Sequence, residues 1–235
     1  MSDAIRVGLV GFGYASKTFH APLIGGTPGM ALKAVASSDA DKVHADWPGV
    51  KVMSAPGDLL DDPDIDLVVI ATPNDTHFPL AKAALEAGKH VVVDKPFTVT
   101  LSQARELESL AKHCGRILSV FHNRRWDSDF LTVSALINEG QLGEVCYFES
   151  HFDRFRPQVR QRWREQAGPG SGIWYDLAPH LLDQVVVLFG LPVSITVDLA
   201  QLRPGAQSTD YFHAVLAYPQ RRVVLHGTLL AAAES

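Results

Sequence analysis

Over roughly its first 120 residues the chain alternates short apolar runs with stretches of helical spacing. The runs are "IRVGLVG", "ALKAVASS", "VKVMS", "IDLVVIATP", "HVVVDKP" and "RILSVFHN". "IDLVVIATP" is almost continuously apolar, which suits a strand buried on both faces of a parallel sheet. Between the runs lie "SKTFHAPLIGGT", "DADKVHADWPG" (helical up to Pro48), "HFPLAKAALEAGKH" (stopped at Gly88) and "SQARELESLAKHCG" (capped by Ser102, closed by Gly115). Repeated strand–helix alternation of this kind predicts an α/β fold, a doubly wound parallel sheet of the Rossmann type.

The pattern changes near residues 121–126. One helix is expected over "DSDFLTVSALINEGQLG", then four longer strand-like segments, "EVCYFESHFDRF", "VSITVDLAQL", "DYFHAVLAYP" and "RRVVLHGTLLA". A strong helix, "DLAPHLLDQVVVLFG", falls between the first two of these. This reads as an α+β domain with a mostly antiparallel sheet. The expected division is therefore 1–122 and 123–235, closely packed because no flexible linker separates them.

Composition removes several function classes. Apolar residues make up 46% of the 235 and charged residues 20%, enough to build a core. A net charge of −5 argues against nucleic acid as a partner. The two cysteines, Cys114 and Cys146, are too few for a disulfide framework, and a reduced cytoplasmic protein is expected. The N-terminus lacks the basic stretch and longer apolar core of a signal peptide, and no apolar run is long enough for a membrane span.

The first run ends in "GFGYAS", residues Gly11, Phe12, Gly13, Tyr14, Ala15 and Ser16. A full dinucleotide fingerprint would carry a third glycine where Ser16 stands. Gly11 permits the tight turn, and Gly13 lets the backbone approach a pyrophosphate, which the following helix N-terminus faces with unpaired N–H groups. The alternative, a plain glycine turn, is outweighed by its place at the first strand of a βαβ array. At the end of the second strand an NAD site would carry a carboxylate for the ribose 2′-OH. If that strand stops at Ala36, Ser37 takes the position, with Ser38 and Lys42 available to a 2′-phosphate. NADP is favoured and NAD is the alternative, with Asp39 either capping the next helix or turning inward to the ribose.

With "GFGYAS", the stretches "ATPN" (71–74) and "GKHVVVDKP" (88–96) make a combination that resembles the Gfo/Idh/MocA family of NAD(P)-dependent oxidoreductases. "FHNRRWDSDFLT" (121–132) is similar to the branch containing NADP-dependent scyllo-inositol dehydrogenases, and "YDLAPHLLDQ" (175–184) also matches the family. The family usually has Glu-Lys-Pro where this chain has Asp94-Lys95-Pro96. The resemblance implies that Lys95 is the catalytic lysine, its pKa lowered by burial, and that the Lys95–Pro96 bond is cis. It implies cofactor contacts from Thr72, Pro73, Asn74, His77 and Asp94, and substrate contacts from Asn123, Arg124, Trp163, Asp176 and His180.

Asp176 and His180, at i and i+4, would share a helix face as substrate-orienting groups or auxiliary acid/base. Pro179 argues instead for a helix that begins near Asp176, making Asp176 an N-cap and His180 a satisfied histidine. Metal ligation by Asp176, His180 and Asp183 has no separate His or Cys cluster behind it, and no metal is expected. His122, Asn123, Arg124, Arg125 and Trp126 combine polar donors with an aromatic wall, which suits a polyol or sugar; Arg124 and Arg125 alternatively pair with acidic residues. The five arginines of "RFRPQVRQRWRE" (154–165) read best as a solvated or interface loop.

The resemblance also implies a second domain that runs on beyond "LLAAAES", so the chain is expected to be truncated and the family's homo-oligomer is in doubt. The expected activity is hydride exchange between NADP(H) and a ring carbon of a polyol or sugar, scyllo-inositol first. The rival is a non-catalytic NAD(P)-binding sensor on the same fold, distinguished by retention of Lys95.

Overall fold

The computed structural model describes residues 4–232, which fall into two compact units divided between Phe121 and His122. The first is a six-stranded, wholly parallel sheet. In chain order its strands are β1 (Ile5–Val10), β2 (Met30–Ala36), β3 (Lys51–Met53), β4 (Leu67–Ile70), β5 (His90–Asp94) and β6 (Leu118–Phe121). Their spatial order, β3-β2-β1-β4-β5-β6, reverses direction between β1 and β4, the switch point of a doubly wound sheet.

Helices cover both faces. On one side α3 (Pro56–Leu60), α4 (Asn74–Glu86) and α5 (Leu101–His113) pack Leu59, Leu85 and Leu107 against Val10, Ile70 and Val91. On the other, α1 (Ala21–Gly26) and α2 (Ala40–Asp46) pack Ile24 and Val43 against Val7, Leu9 and Val35. Burial on both faces is why these strands read as unbroken apolar runs. One local expectation needs correction. The cap of α5 is Thr100, not Ser102: its hydroxyl accepts from the Gln103 N–H at 3.3 Å, and the Gln103 side chain accepts from the Thr100 N–H at 3.2 Å. The first helical stretch is π-helical over Ser16–His20 before it becomes α1.

The second unit contains α6 (Ser128–Asn138), β7 (Tyr147–Asp153), α7 (Gly172–Phe189), β8 (Ser194–Ala200), β9 (Tyr211–Ala217) and β10 (Arg222–Thr228). Its sheet runs β7-β10-β9-β8, with β7–β10 parallel and the other two pairings antiparallel. Ile173, Leu177, Leu181 and Val185 of α7 pack against Phe212, Ala214, Leu216, Val223 and Leu225 on one sheet face. The side chains of Glu149, His151, Asp153, His213 and His226 alternate onto the other. Among the described residues no helix is long and apolar enough to cross a membrane.

Pro179 lies inside α7. The helix starts at Gly172, so Asp176 is not its cap, and the expectation of a helix beginning near Asp176 is overturned. Proline removes one backbone donor, and the apolar seam of α7 against the sheet holds the helix together around that gap.

Candidate functional site

The first unit gathers its candidate residues at the C-terminal edge of the parallel sheet. The turn after β1 is fixed from both sides: the Gly11 N–H donates to the Ala36 carbonyl at 2.9 Å, and the Ala71 N–H donates to the Val10 carbonyl at 3.1 Å. Gly11 has φ +87°, and a Cβ there would stand 2.9 Å from the Ala71 carbonyl oxygen. Glycine is therefore dictated by the chain's own packing. At Gly13, by contrast, a Cβ would meet nothing within 4 Å and φ is not positive. The open space leaves the backbone accessible, so the turn fits a pyrophosphate. Ser16, in place of the third glycine, is fully buried and donates its hydroxyl to the Gly11 carbonyl at 2.8 Å, closing helix against turn. Tyr14 is 78% exposed beside it.

β2 ends at Ala36, which puts Ser37 first past the strand. Its hydroxyl accepts from the Asp39 N–H at 3.1 Å. Asp39 caps α2, accepting from the Lys42 N–H at 3.0 Å, so its carboxylate is engaged in the role weighed against ribose binding. Ser38 and the Lys42 side chain are exposed.

The loops after β4 and β5 are clasped together by His77. It is fully buried, with Nδ1 2.8 Å from the Pro96 carbonyl and Nε2 2.9 Å from the Thr72 carbonyl. These contacts give His77 a positioning role between the two loops. Asn74 is likewise buried, while Pro73 is exposed on the loop. The Lys95–Pro96 peptide is cis, and Lys95 is half-buried just beyond β5. Asp94 turns inward: Oδ1 accepts from the Lys95 N–H at 2.8 Å, and Oδ2 stands 3.8 Å from Nε2 of the buried His20. Burial pushes the Asp94 carboxyl up, but the facing His20, the Lys95 charge and the Lys95 N–H outweigh it and hold it below its ordinary value. His20, packed on Phe121 at 4.2 Å between ring centres, was missed from sequence. Its only signal was a histidine four residues from the end of a dinucleotide turn.

The second unit carries the other candidates. Asp176 and His180 share a face of α7; His180 is buried, with Phe152 near its ring, and Asp176 pairs with Arg164 Nε at 3.3 Å. Trp163 lies half-buried with the Arg164 guanidinium 4.4 Å above its ring. Asn123 and Arg124 fall in a 3-10 turn, Asn123–Trp126. Arg124 donates to Asp127 at 2.7 Å and sits over the Phe152 ring, and Trp126 is 77% exposed. Arg125 makes a two-pronged bond to Asp183, at 2.7 and 2.6 Å. That bond commits Asp183 to a structural pair and takes it away from Asp176 and His180.

The arginine-rich segment, expected to be a solvated or interface loop, is held within its own unit by buried ion pairs. Arg203, almost wholly buried, donates to Asp210 at 3.0 Å, meets Glu165 at 3.1 Å, and reaches the carbonyls of Arg156 and Gln158 at 3.0 and 3.2 Å. Glu165 in turn accepts from the Arg160 N–H and from Arg162 Nε. The segment is pinned to the second unit by a buried ion triad that the sequence pattern did not reveal.

Comparison with known proteins completes the description. Residues 5–122 match the oxidoreductase family GFO_IDH_MocA, NAD-binding Rossmann fold, and residues 134–235 match its C-terminal alpha/beta domain. The chain is 80% identical over 235 residues to the uncharacterized oxidoreductase YdgJ of Escherichia coli (strain K12), covering all of this chain and 68% of that protein. It is 38% identical over 225 residues to the scyllo-inositol 2-dehydrogenase (NADP(+)) IolW of Bacillus subtilis (strain 168), covering 96% of this chain and 63% of that protein. The solved structure of the YPO2259 oxidoreductase from Yersinia pestis superposes with a TM-score of 0.94 at 70% identity, covering all of this chain and 66% of that one. The chain thus spans about two thirds of the length of these relatives.

Proposed function

The chain belongs to the Gfo/Idh/MocA oxidoreductase family, and on that footing we propose that it exchanges a hydride between NADP(H) and a ring carbon of a polyol or sugar, scyllo-inositol being the first candidate. The observation that carries the reading is the common edge shared by the glycine turn and Lys95. Gly11 is locked to Ala36, His77 clasps the Thr72 loop to the Pro96 loop, and Asp94 fixes the Lys95 backbone. A general acid or base must be held within reach of its proton, and these contacts make a rigid base for one.

The bound cofactor supplies or accepts the hydride at its nicotinamide ring. Lys95 gives or takes the proton at the substrate oxygen. Asp176, steadied by Arg164, and His180 orient the substrate hydroxyls from α7. Asn123, Arg124 and Trp163 add donors and an aromatic surface suited to a polyol. Ser37 at the end of β2, with no carboxylate turned inward there, supports NADP over NAD. The B. subtilis relative whose name includes NADP(+) and scyllo-inositol is in accord. Unpaired Cys114 and Cys146 fit a cytoplasmic setting.

The test is spectrophotometric: NADPH formation from NADP+ with scyllo-inositol and related polyols, for the chain and for Lys95→Met. Turnover that falls at least about a thousandfold in Lys95→Met, with NADPH affinity kept, is the expected result. Full turnover in the variant would remove Lys95 from its role. Tight NADPH binding without turnover on any polyol would replace the enzyme by a cofactor sensor.

A further inference from the structure

The sheet face of the second unit that α7 leaves uncovered carries a row of four residues across its strands. His151 of β7 pairs with His226 of β10, His226 with His213 of β9, and His213 with Asp198 of β8. Glu149 and Asp153 flank His151 on the same strand, two residues to either side, and so share its face. Histidines 75 positions apart leave no spacing motif in the sequence.

The geometry is that of a ligand set. Asp153 Oδ2 lies 3.0 Å from His151 Nδ1, and Asp153 Oδ1 lies 3.6 Å from His226 Nε2. One ligand atom from each of the three residues falls within 4.8 Å of the others. Donors bound to one zinc-class ion at about 2.0–2.2 Å are themselves about 3.0–3.5 Å apart. The three therefore need only small side-chain rotations to share an ion. His151 also has the second feature of a ligating histidine. Its other nitrogen, Nε2, is 2.8 Å from Glu149 Oε1, the carboxylate–histidine arrangement that fixes the tautomer and raises ligand basicity. Asp153 and His226 are largely shielded from solvent, while His151 is about a third exposed, which gives the site a shielded floor and an entry path.

We propose that His151, Asp153 and His226 bind one divalent transition-metal ion of the zinc class, with Glu149 as the outer partner of His151. Two imidazoles and a carboxylate suit zinc, cobalt or nickel, and not magnesium or calcium, which prefer all-oxygen sets. The ion ties β7, an edge strand, to β10 by side-chain ligation in addition to the backbone ladder. The set shares no residue with those proposed for cofactor or substrate.

The experiment is calorimetric titration of Zn2+ into the tag-free, chelator-stripped chain, with Co2+ as a spectroscopic probe. The expected result is one saturable equivalent, with cobalt absorption bands of a nitrogen–oxygen site. Glu149→Gln should weaken binding about tenfold, and His151→Gln and His226→Gln by more. His113→Gln, on α5 of the first unit, should change nothing. Circular dichroism without metal verifies that the variants are folded. Crystals of the unaltered chain soaked in Zn2+ supply a readout independent of any variant, an anomalous peak between the three side chains. No saturable equivalent, affinity unchanged in the His151→Gln/His226→Gln double variant, or an anomalous peak elsewhere would each overturn the proposal.

Discussion

Gly11 and Gly13 stand two residues apart in one turn, yet alanine should do different things at each. At Gly11 the backbone is at φ +87°, where a side chain is strained by about 1–2 kcal/mol. The new Cβ would also stand 2.9 Å from the Ala71 carbonyl oxygen and 3.0 Å from Thr72 Cγ2. Ala71 cannot easily retreat, because its own N–H is bonded to the Val10 carbonyl. Strain and overlap together should destabilise the first unit by about 2–4 kcal/mol. In a chain of this size that lowers the melting temperature by about 5–15 °C. At Gly13 a Cβ meets nothing within 4 Å, so Gly13→Ala should melt within about 2 °C of the parent. It should nevertheless lose at least about tenfold in NADPH affinity, since the methyl fills the space a pyrophosphate needs. Differential scanning fluorimetry and calorimetric titration with NADPH measure both quantities. If Gly13→Ala bound NADPH as tightly as the parent, the turn would be a bend and not a phosphate site.

Three further outcomes are expected. Ser37→Asp should cut NADPH affinity at least about tenfold while sparing NADH, because it brings a carboxylate against the 2′-phosphate; an unchanged ratio of the two affinities would remove Ser37 from the selecting position. Arg203→Met should cost about 3–5 kcal/mol, since it strands the buried carboxylates of Asp210 and Glu165, and hydrogen exchange should rise through residues 154–165; a loss under about 1 kcal/mol would refute the triad. Asp66 is held at about 2 by its side-chain bond to Arg6, below its ordinary 3.8. A depressed carboxyl stabilises the fold above its unfolded value and loses that contribution as pH falls towards 2. Solvent exposure reduces the effect to about 1 kcal/mol, so the stability gap between the parent and Arg6→Met should be present at about pH 6 and close by about pH 2.

The sheet of the first unit was legible because parallel strands covered by helices on both faces are written as apolar runs, and because a glycine turn marks the first of them. The four strands of the second unit were legible for a related reason: β9 alternates buried and half-buried residues along its length. What escaped the pattern were features decided by partners distant in sequence. The start of α7 was misplaced because Pro179 signals a first turn, whereas packing against Phe212 and Leu216 carries the helix through it. Arg203 and Glu165 are 38 positions apart, and neither looks buried in a list of charged residues.

The candidate site repeats this division on a smaller scale. Residues proposed for chemistry carry a signal along the chain: Gly11, Gly13 and Ser37 by type and position in a strand–turn–helix unit, and Lys95 by resemblance to the family. Residues that hold them carry none. His77 accounts for the shape of two loops by bonding a carbonyl in each, and its sequence context, "NDTHF", shows neither partner. His20 and Asp94 face one another across 74 positions, next to the lysine on which the proposed chemistry depends. A dehydrogenase needs its proton-transfer group fixed relative to its cofactor turn, and in this unit the fixing is done by buried histidines between loops. Substitution of His77 should therefore disturb cofactor affinity and Lys95 placement together.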